Sequence, residues 1–565
     1  MAAAPGTLSE ISMLNFEHIK YGEPCPLNDH VITRMMRDFR LQVEQKDISS
    51  LLAQCLDDCH GTEAIVSNRR KAIATSDYIQ NANNNLLNWL TGGSVGDGFR
   101  MKTSDSDAMH VMMSVVVVDP DQTHLIPQEG IRKTILYMKE GGCRPGYVTL
   151  EIARLADGSG TTTIFNDAII PFGDSMYLSS DIYRQGKADA LARAIGVGYV
   201  SNGPCSTVYS KHYGNSIDIS DAFPCISWPN AAHEWIHRPR LYGWPAQTMI
   251  DKIIQGGCHV VPVGDKCSTD TLLQWRISFA CAEQMLVHSL THPQFRVYGL
   301  LKYFLLQIKD LLDHIIGDRD VICSYFLKTL IFHAVENSPH SLWSTQNTFI
   351  CFRFCLSILT SWVKSGYCPN YFIQSNNMFL RKIHGETRQR LVHLLKDMYN
   401  MSWMCLCLKS DRSPYIGRML QQHKGATFRQ PPEYIRDLDL FRECLFSSHR
   451  QRNGNGKLYS SMQCLHTSHT DADDFIAYFA ITTTLTSRAS ELFGESNTGS
   501  NKQKYISMKK CKHFLTPQAL MCTSPGLMML ATFHYLTADY RKTLQMCAYM
   551  RSTGKLLHWQ VNTSD

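Results

Sequence analysis

At 565 residues the chain is longer than one hydrophobic core organises, so two to four packed units are expected. A hydrophobic fraction of 44% against 19% charged residues excludes a mainly disordered chain, and a net charge of +6 permits a local basic surface without marking the whole as a nucleic-acid binder. The 20 cysteines are scattered behind an opening MAAAPGTLSE that holds no apolar leader, which argues against a disulfide-stapled secreted scaffold and for reduced thiols in the cytoplasm.

In chain order, Val31, Ile32, Met35, Met36, Phe39, Leu41 and Val43 recur near helical spacing and predict a long amphipathic helix over Asp29–Cys59. Cys55, Cys59 and His60 have ligand-like spacing but no second cysteine pair nearby, so they read as helix residues. A glycine-rich turn follows at Thr91–Gly98, and then a strand over His110–Val118 that stops at Asp119-Pro120. Further β-like runs at Tyr147–Ile152, Thr161–Phe165 and Ser216–Ile219 make the first half α+β with a mixed sheet.

From Trp275 onward the pattern turns helical: Trp275–Leu290, Val297–Ile316, Tyr325–Glu336, Asn347–Ser365 and Glu386–Tyr399. Phe349–Val363 is the most membrane-like stretch, but it is short and contains Arg353, so it predicts a buried helix and no membrane span. Polar stretches at Ser447–Lys457 and Gly494–Lys504 read as exposed loops, and Pro517–Met550 reads as a helix pair of the tetratricopeptide sort.

The chemistry concentrates at Gly93-Ser94 and Ser104-Asp105-Ser106-Asp107. Residues two apart in a strand share a face, so Asp105 and Asp107 can present two carboxylates to a pair of divalent ions, with a third carboxylate completing the cage. Gly93 allows backbone to approach a phosphate, and Ser94 offers a hydroxyl and an amide. GGSVGDG lacks the Gly-Lys-Ser/Thr ending of a phosphate-binding P-loop. On their own, a Gly-Ser turn and a DxD pair also fit an ordinary surface loop.

Together with NSIDISDAFPCISWP (Asn215–Pro229), WRISFACAE (Trp275–Glu283) and CSYFLKT (Cys323–Thr329), these motifs resemble the Mab-21 family of nucleotidyltransferases, which includes cyclic GMP-AMP synthase and its zinc-less invertebrate relatives. The resemblance runs over roughly Leu51–Ser410. It implies a bilobal fold, with a helical and spine region over 1–60, a nucleotidyltransferase core over 61–270 and an all-helical lobe over 271–410; the stretch 431–565, which has no counterpart in the vertebrate synthase, reads from its own pattern as a helical extension. It makes Asp105, Asp107 and Asp218 the catalytic ligands of two Mg2+ or Mn2+ ions. Asp221, three residues beyond, reads as a turn-facing surface carboxylate and is left out of the site.

The same resemblance places Gly93, Ser94, Arg276, Ser278, Glu283, Lys302, Ser324 and Tyr325 against nucleotide. Arg276 and Glu283, seven residues apart, are expected on one helix face with Ser278 off it. Ala280 stands where vertebrate synthases carry a serine. Ser289–Tyr298 has no cysteine and no room for the vertebrate zinc insert, so no zinc is expected. The implied function is an innate-immune enzyme that makes a cyclic dinucleotide from ATP and GTP when it senses nucleic acid, double-stranded RNA before DNA. Arg69, Arg70 and Lys71, with Lys46 and Arg40, are the candidate RNA surface, and the C-terminal helices are candidates for a protein partner. The rival reading is a catalytically silent scaffold of the same family.

Overall fold

The computed structural model describes residues 43–82, 86–100, 106–126, 133–156, 162–195, 200–202, 205–210, 215–268, 271–409, 416, 433–448, 455–495, 500–520 and 524–561. They form two compact units, one drawn from Met1–Val66 and Leu90–Pro431, the other from Ser67–Trp89 and Pro432–Asp565.

The first unit is α+β. Its mixed sheet has twelve strands: β1 (Leu87–Gly92), β2 (Ser106–Met112), β3 (Val115–Val118), β4 (Thr134–Lys139), β5 (Tyr147–Arg154), β6 (Ile169–Phe172), β7 (Ser175–Leu178), β8 (Val200–Asn202), β9 (Cys205–Ser210), β10 (Asn215–Cys225), β11 (Cys258–Val261) and β12 (Gln274–Ser278). The main path runs β1-β2-β10-β11-β12-β5-β4-β3, and β10 also touches β3 at Cys225↔Val117. β10, 11 residues long, pairs with β2 and β9 together over Ile217–Ser220 and with β11 and β3 at Cys225, which fixes it at the centre of the sheet.

One face of this sheet buries Phe223 and Trp275 against Tyr183 of the helix Ser180–Ile195. Beyond β12 the chain is helical: Ala280–Ser289, His292–Ile316, Ser324–Glu336, Thr348–Ser365 and Gly385–Asn400. The aromatic group of Trp228, Trp235, Phe279, Tyr371 and Phe372 packs these helices onto the sheet. The helix Val43–His60 is tied to them by a buried ion pair, in which both oxygens of Asp57 accept from the Arg296 guanidinium at 2.7 and 2.5 Å. Thr348–Ser365 is a core helix, and no described helix is long and apolar enough to cross a membrane.

Several expected elements differ. The single strand over His110–Val118 is two strands, broken at Met113-Ser114. Thr161–Phe165, expected as β from its threonines, lies in the short helix Thr163–Asp167, because the Thr162 hydroxyl caps it by accepting from Phe165 N at 3.3 Å. Trp275–Leu290 is not one helix: Gln274–Ser278 is a strand with Trp275 and Ile277 buried on one face, and the helix begins at Ala280. The Asp29–Gln42 part of the first expected helix lies outside the described residues. Lys457 and Asn501–Lys504, expected in loops, are helical.

Apart from Leu87–Trp89, the start of β1, the described elements of the second unit are helices, with Glu433–Ser448, Asn455–His466, Asp471–Glu495, Asn501–Leu520, Ser524–Leu536 and Tyr540–Val561 following the segment Ser67–Asn81. Consecutive helices pack on one another around Ala489, Cys511, Leu515, Leu527, Leu530 and Phe533.

Candidate functional site

β2 and β10 run parallel with Asp107 directly beside Asp218. Alternation then puts Asp107, Met109 and Val111 on the same face as Asp218, Ser220 and Ala222. The apolar members pack with Val261 and Val263, and the two carboxylates are left at the end of that face where the strands enter the sheet. Asp218 is further fixed by Thr207 on β9, whose hydroxyl donates to Oδ1 at 2.5 Å. Asp221 is a strand residue rather than a turn residue; it faces the other way and pairs with Lys187 at 3.2 Å.

β1 leads into the short helix Gly93–Asp97, which hangs over this pair of carboxylates. Gly93 has φ +60°, and a Cβ there would stand 1.8 Å from Asp107 Oδ2. The glycine is thus required by the approach of the Asp107 side chain.

The next residue, Ser94, accepts from the Lys302 ammonium at 2.6 Å. Lys302 sits on the long helix His292–Ile316 and is buried against the rings of Phe99 and Tyr298, each about 5.0 Å from its nitrogen. Burial, resisted by Asp97, lowers this lysine to about 8.

Asp97 closes the short helix and is 1% exposed. Its oxygens accept from Lys328 at 3.0 and 3.1 Å and from the Tyr298 hydroxyl at 3.3 Å. Burial works against the Lys328 charge, but Asp97 and then Glu283 outweigh it and hold the ammonium above its ordinary range. Glu283 accepts from the Tyr325 hydroxyl at 2.9 Å, and Asn370 donates to that hydroxyl at 3.0 Å. Burial raises the Glu283 carboxyl, and Lys328 opposes the rise.

Gly93, Ser94, Asp107, Asp218, Arg276, Ser278, Glu283, Lys302, Ser324 and Tyr325 all line one cavity of about 280 Å³. Ala280 lines it too. Arg276, Ser278, Glu283 and Tyr325 also form a wall of an adjoining cavity of about 560 Å³, which continues to Arg144, Asn370 and Arg381. The expected helix face shared by Arg276 and Glu283 is absent: Arg276 and Ser278 alternate on β12, while Glu283 is on the helix Ala280–Ser289. The turn at Phe279 brings all three to the same cavity, so Ser278 is on the lining and not off it.

Asp105 lies outside the described residues, and among those described no three His, Cys, Asp or Glu side chains gather as a metal site. Asp107 and Asp218 are hard oxygen donors, side by side, of the kind that Mg2+ or Mn2+ takes. Burial, then the negative charge of Asp218 and Asp107, pushes the nearby Cys205 thiol up to about 12. The donor set fits the ion.

The sequence reading passed over Asp97, Lys328, Thr207 and Asn370. Lys328 stands within CSYFLKT and Asp97 within GGSVGDG, but 231 positions separate the two partners. Nothing in the local sequence marks Thr207 or Asn370.

The expected basic surface is corrected at Arg69 and Lys71, while Arg70 is half-buried. Arg69 is 6% exposed and forks onto Asp439 at 2.9 and 2.7 Å, and Lys71 pairs with Asp473 at 2.8 Å. Both cations are taken up inside the second unit, where the acidic groups of the helices Glu433–Ser448 and Asp471–Glu495 meet them. Arg40 and the side chain of Lys46 lie outside the described residues. Only Leu290 and Thr291 separate Ser289 from His292, the first residue of the next helix.

Residues 102–289 match the Mab-21 protein nucleotidyltransferase domain, and residues 296–397 match the Mab-21 protein HhH/H2TH-like domain. Among curated proteins, cyclic GMP-AMP synthase of Sus scrofa is 30% identical over 125 residues, 19% of this chain and 24% of that protein. Cyclic GMP-AMP synthase of Mus musculus is 25% identical over 171 residues, 28% of this chain and 32% of that protein. The chain thus spans about a quarter to a third of the length of these relatives. Two domain matches, in order and end to end over the α+β core and the lobe that wall the cavity, identify the chain as a member of the Mab-21 family, with cyclic GMP-AMP synthase among its relatives.

Proposed function

We propose that the chain is a metal-dependent nucleotidyltransferase that joins ATP and GTP into a cyclic dinucleotide with release of pyrophosphate, and that double-stranded nucleic acid, RNA before DNA, switches it on in the cytoplasm as part of innate immune signalling. The observation that carries this reading is the side-by-side register of Asp107 and Asp218 under the Ser94–Lys302 pair.

Asp107 and Asp218, with Asp105, would hold Mg2+ or Mn2+, which when bound supplies charge for the triphosphate and lowers the pKa of the attacking hydroxyl. Ser94 and Lys302 present a hydroxyl and an ammonium to the donor phosphates. The product takes two successive transfers, each of which forms a bond from a ribose hydroxyl oxygen to an α-phosphorus and breaks the bond from that phosphorus to the bridging oxygen of pyrophosphate, so that each cyclic dinucleotide releases two pyrophosphates. Thr207 occupies Asp218 Oδ1, which leaves Oδ2 to orient the hydroxyl and receive its proton. Arg276 and Ser278 on β12 and Tyr325 on the lobe would hold the bases, Tyr325 by a π face, a role supported by the hold of Asn370 and Glu283 on its hydroxyl.

The test incubates the full chain with the four labelled ribonucleoside triphosphates, Mg2+ or Mn2+, and duplex RNA, duplex DNA or neither. A phosphatase-resistant dinucleotide that needs one of the duplexes is expected. Folded protein that binds triphosphate yet gives no product under any arm would leave the silent scaffold as the function, a reading to which Ala280 in the cavity wall lends support.

A further inference from the structure

Residues 501–565 hold nine lysines and arginines against two aspartates and no glutamate. That excess is larger than the +6 of the entire chain, so everything before residue 501 is close to neutral. The charge is also ordered in space. The helix Asn501–Leu520 turns Cys511, Leu515 and Gln518 into the second unit, where the Cys511 thiol donates to the Ala489 carbonyl at 3.2 Å.

At about 100° per residue the opposite side carries Lys502, Lys509 and His513 within roughly 20° of one line, with Tyr505 and Lys512 on one flank and Lys510 on the other. All six are exposed, Tyr505 by 71%. No acidic partner is seen for these four lysines among the described residues. Lys542, beyond the next helix, is taken up by Asp539 at 2.5 Å, so the uncompensated charge is that of the helix Asn501–Leu520.

We propose that this face of Asn501–Leu520 is a binding surface for the phosphate backbone of a nucleic-acid duplex. From Lys502 to His513 the line is about 16 Å long, three turns of rigid helix, and it offers ammonium groups and an aromatic face with no acid between them. A uniform polyanion suits that array. An acidic peptide would need an apolar pocket for an anchor side chain, whereas the apolar group on this face is the single side chain of Ile506, 43% exposed. Insertion into a membrane would need the apolar face of the helix, which is already packed against Leu527 and Leu530. The surface lies wholly in the second unit, and binding is read directly, so an inactive cavity in the first unit would leave the outcome unaffected.

The experiment measures binding of the full chain to fluorescent 30-mer duplex RNA, duplex DNA and vesicles of phosphatidylserine and phosphatidylcholine over a range of salt. Lys502→Gln, Lys509→Gln and Lys512→Gln are combined in one variant. A control combines Lys252→Gln, Lys364→Gln and Lys396→Gln, exposed lysines of the first unit, and removes the same charge. Circular dichroism verifies that both variants fold. Loss of three phosphate contacts is expected to weaken duplex affinity on the order of 100-fold at about 0.1 M salt and to lower the salt slope by about 3, while the control keeps affinity and slope. Equal loss in both variants, no loss in either, or binding to vesicles without binding to a duplex would overturn the proposal.

Discussion

Removing Asp97 should be among the most damaging single changes in the first unit, and a second substitution should undo most of the damage. Asp97→Ala takes away the carboxylate that receives Lys328 at 3.0 Å and the Tyr298 hydroxyl at 3.3 Å. The Lys328 side chain is only 12% exposed, so water cannot replace the lost partner, and Glu283 is left as its nearest opposing charge. Stranding one member of a buried pair costs about 3–5 kcal/mol, whereas exchanging both for apolar groups of similar volume is often close to neutral.

Asp97→Ala with Lys328→Met is therefore expected to lie within about 1–2 kcal/mol of the parent, well below the sum of the single changes. Urea unfolding followed by tryptophan emission reads the result, since Trp228, Trp235, Trp244 and Trp275 are all buried in that unit. A midpoint for Asp97→Ala that corresponds to less than about 1 kcal/mol, or a double variant as unstable as the worse single, would refute the assignment of Asp97 as the counter-charge.

Other consequences follow from the same cavity. Gly93→Ala puts a Cβ 1.8 Å from Asp107 Oδ2 at a residue with φ +60°, so Asp107 must rotate away; a loss of about 1–2 kcal/mol of stability by urea unfolding and loss of triphosphate turnover are expected together. Lys302, lowered to about 8 by burial, sheds its proton as pH rises through that value, so affinity for Mn2+-ATP should fall about tenfold per pH unit above it. Lys302→Ala should bind more weakly at every pH, with that alkaline limb removed, as titration calorimetry would show. The sign for stability is the reverse. An unfolded lysine holds its proton to about 10.4, so between pH 8 and that point the folded chain binds fewer protons and this group's contribution to stability rises with pH.

Much of the cavity was legible in the chain because its parts are short motifs whose residue types state their chemistry. Gly93-Ser94, Asp107, Asp218, Arg276, Ser278, Glu283, Lys302, Ser324 and Tyr325 come from separated stretches and reach one cavity. What failed was local period. In Gln274–Ser278 the alternation of Trp275 and Ile277 with Arg276 and Ser278 is a strand signal only five residues long, followed at once by a helix, so the stretch reads as helix throughout.

Thr161–Phe165 failed for the opposite reason: a threonine that looks like strand composition is a helix cap. Partners distant in sequence were beyond reach. Neither Asp97 nor Lys328 declares an ion pair by its neighbours, and Arg69 and Lys71 read as a basic run until the acids 370 and 402 positions away are placed beside them.

The most direct test of the transfer site uses two aspartates on one strand. Asp218 faces the cavity beside Asp107, and Asp221 faces away onto Lys187. With labelled ATP and GTP, Mg2+ or Mn2+ and the activating duplex, Asp218→Asn should lower dinucleotide formation by about 100-fold or more, because a metal ligand counts for at least as much as an outer partner of one. Asp221→Asn should form product at close to the parent rate. Equal loss in the two variants, or product from Asp218→Asn at the parent rate, would contradict a metal-dependent transfer site built on Asp107 and Asp218.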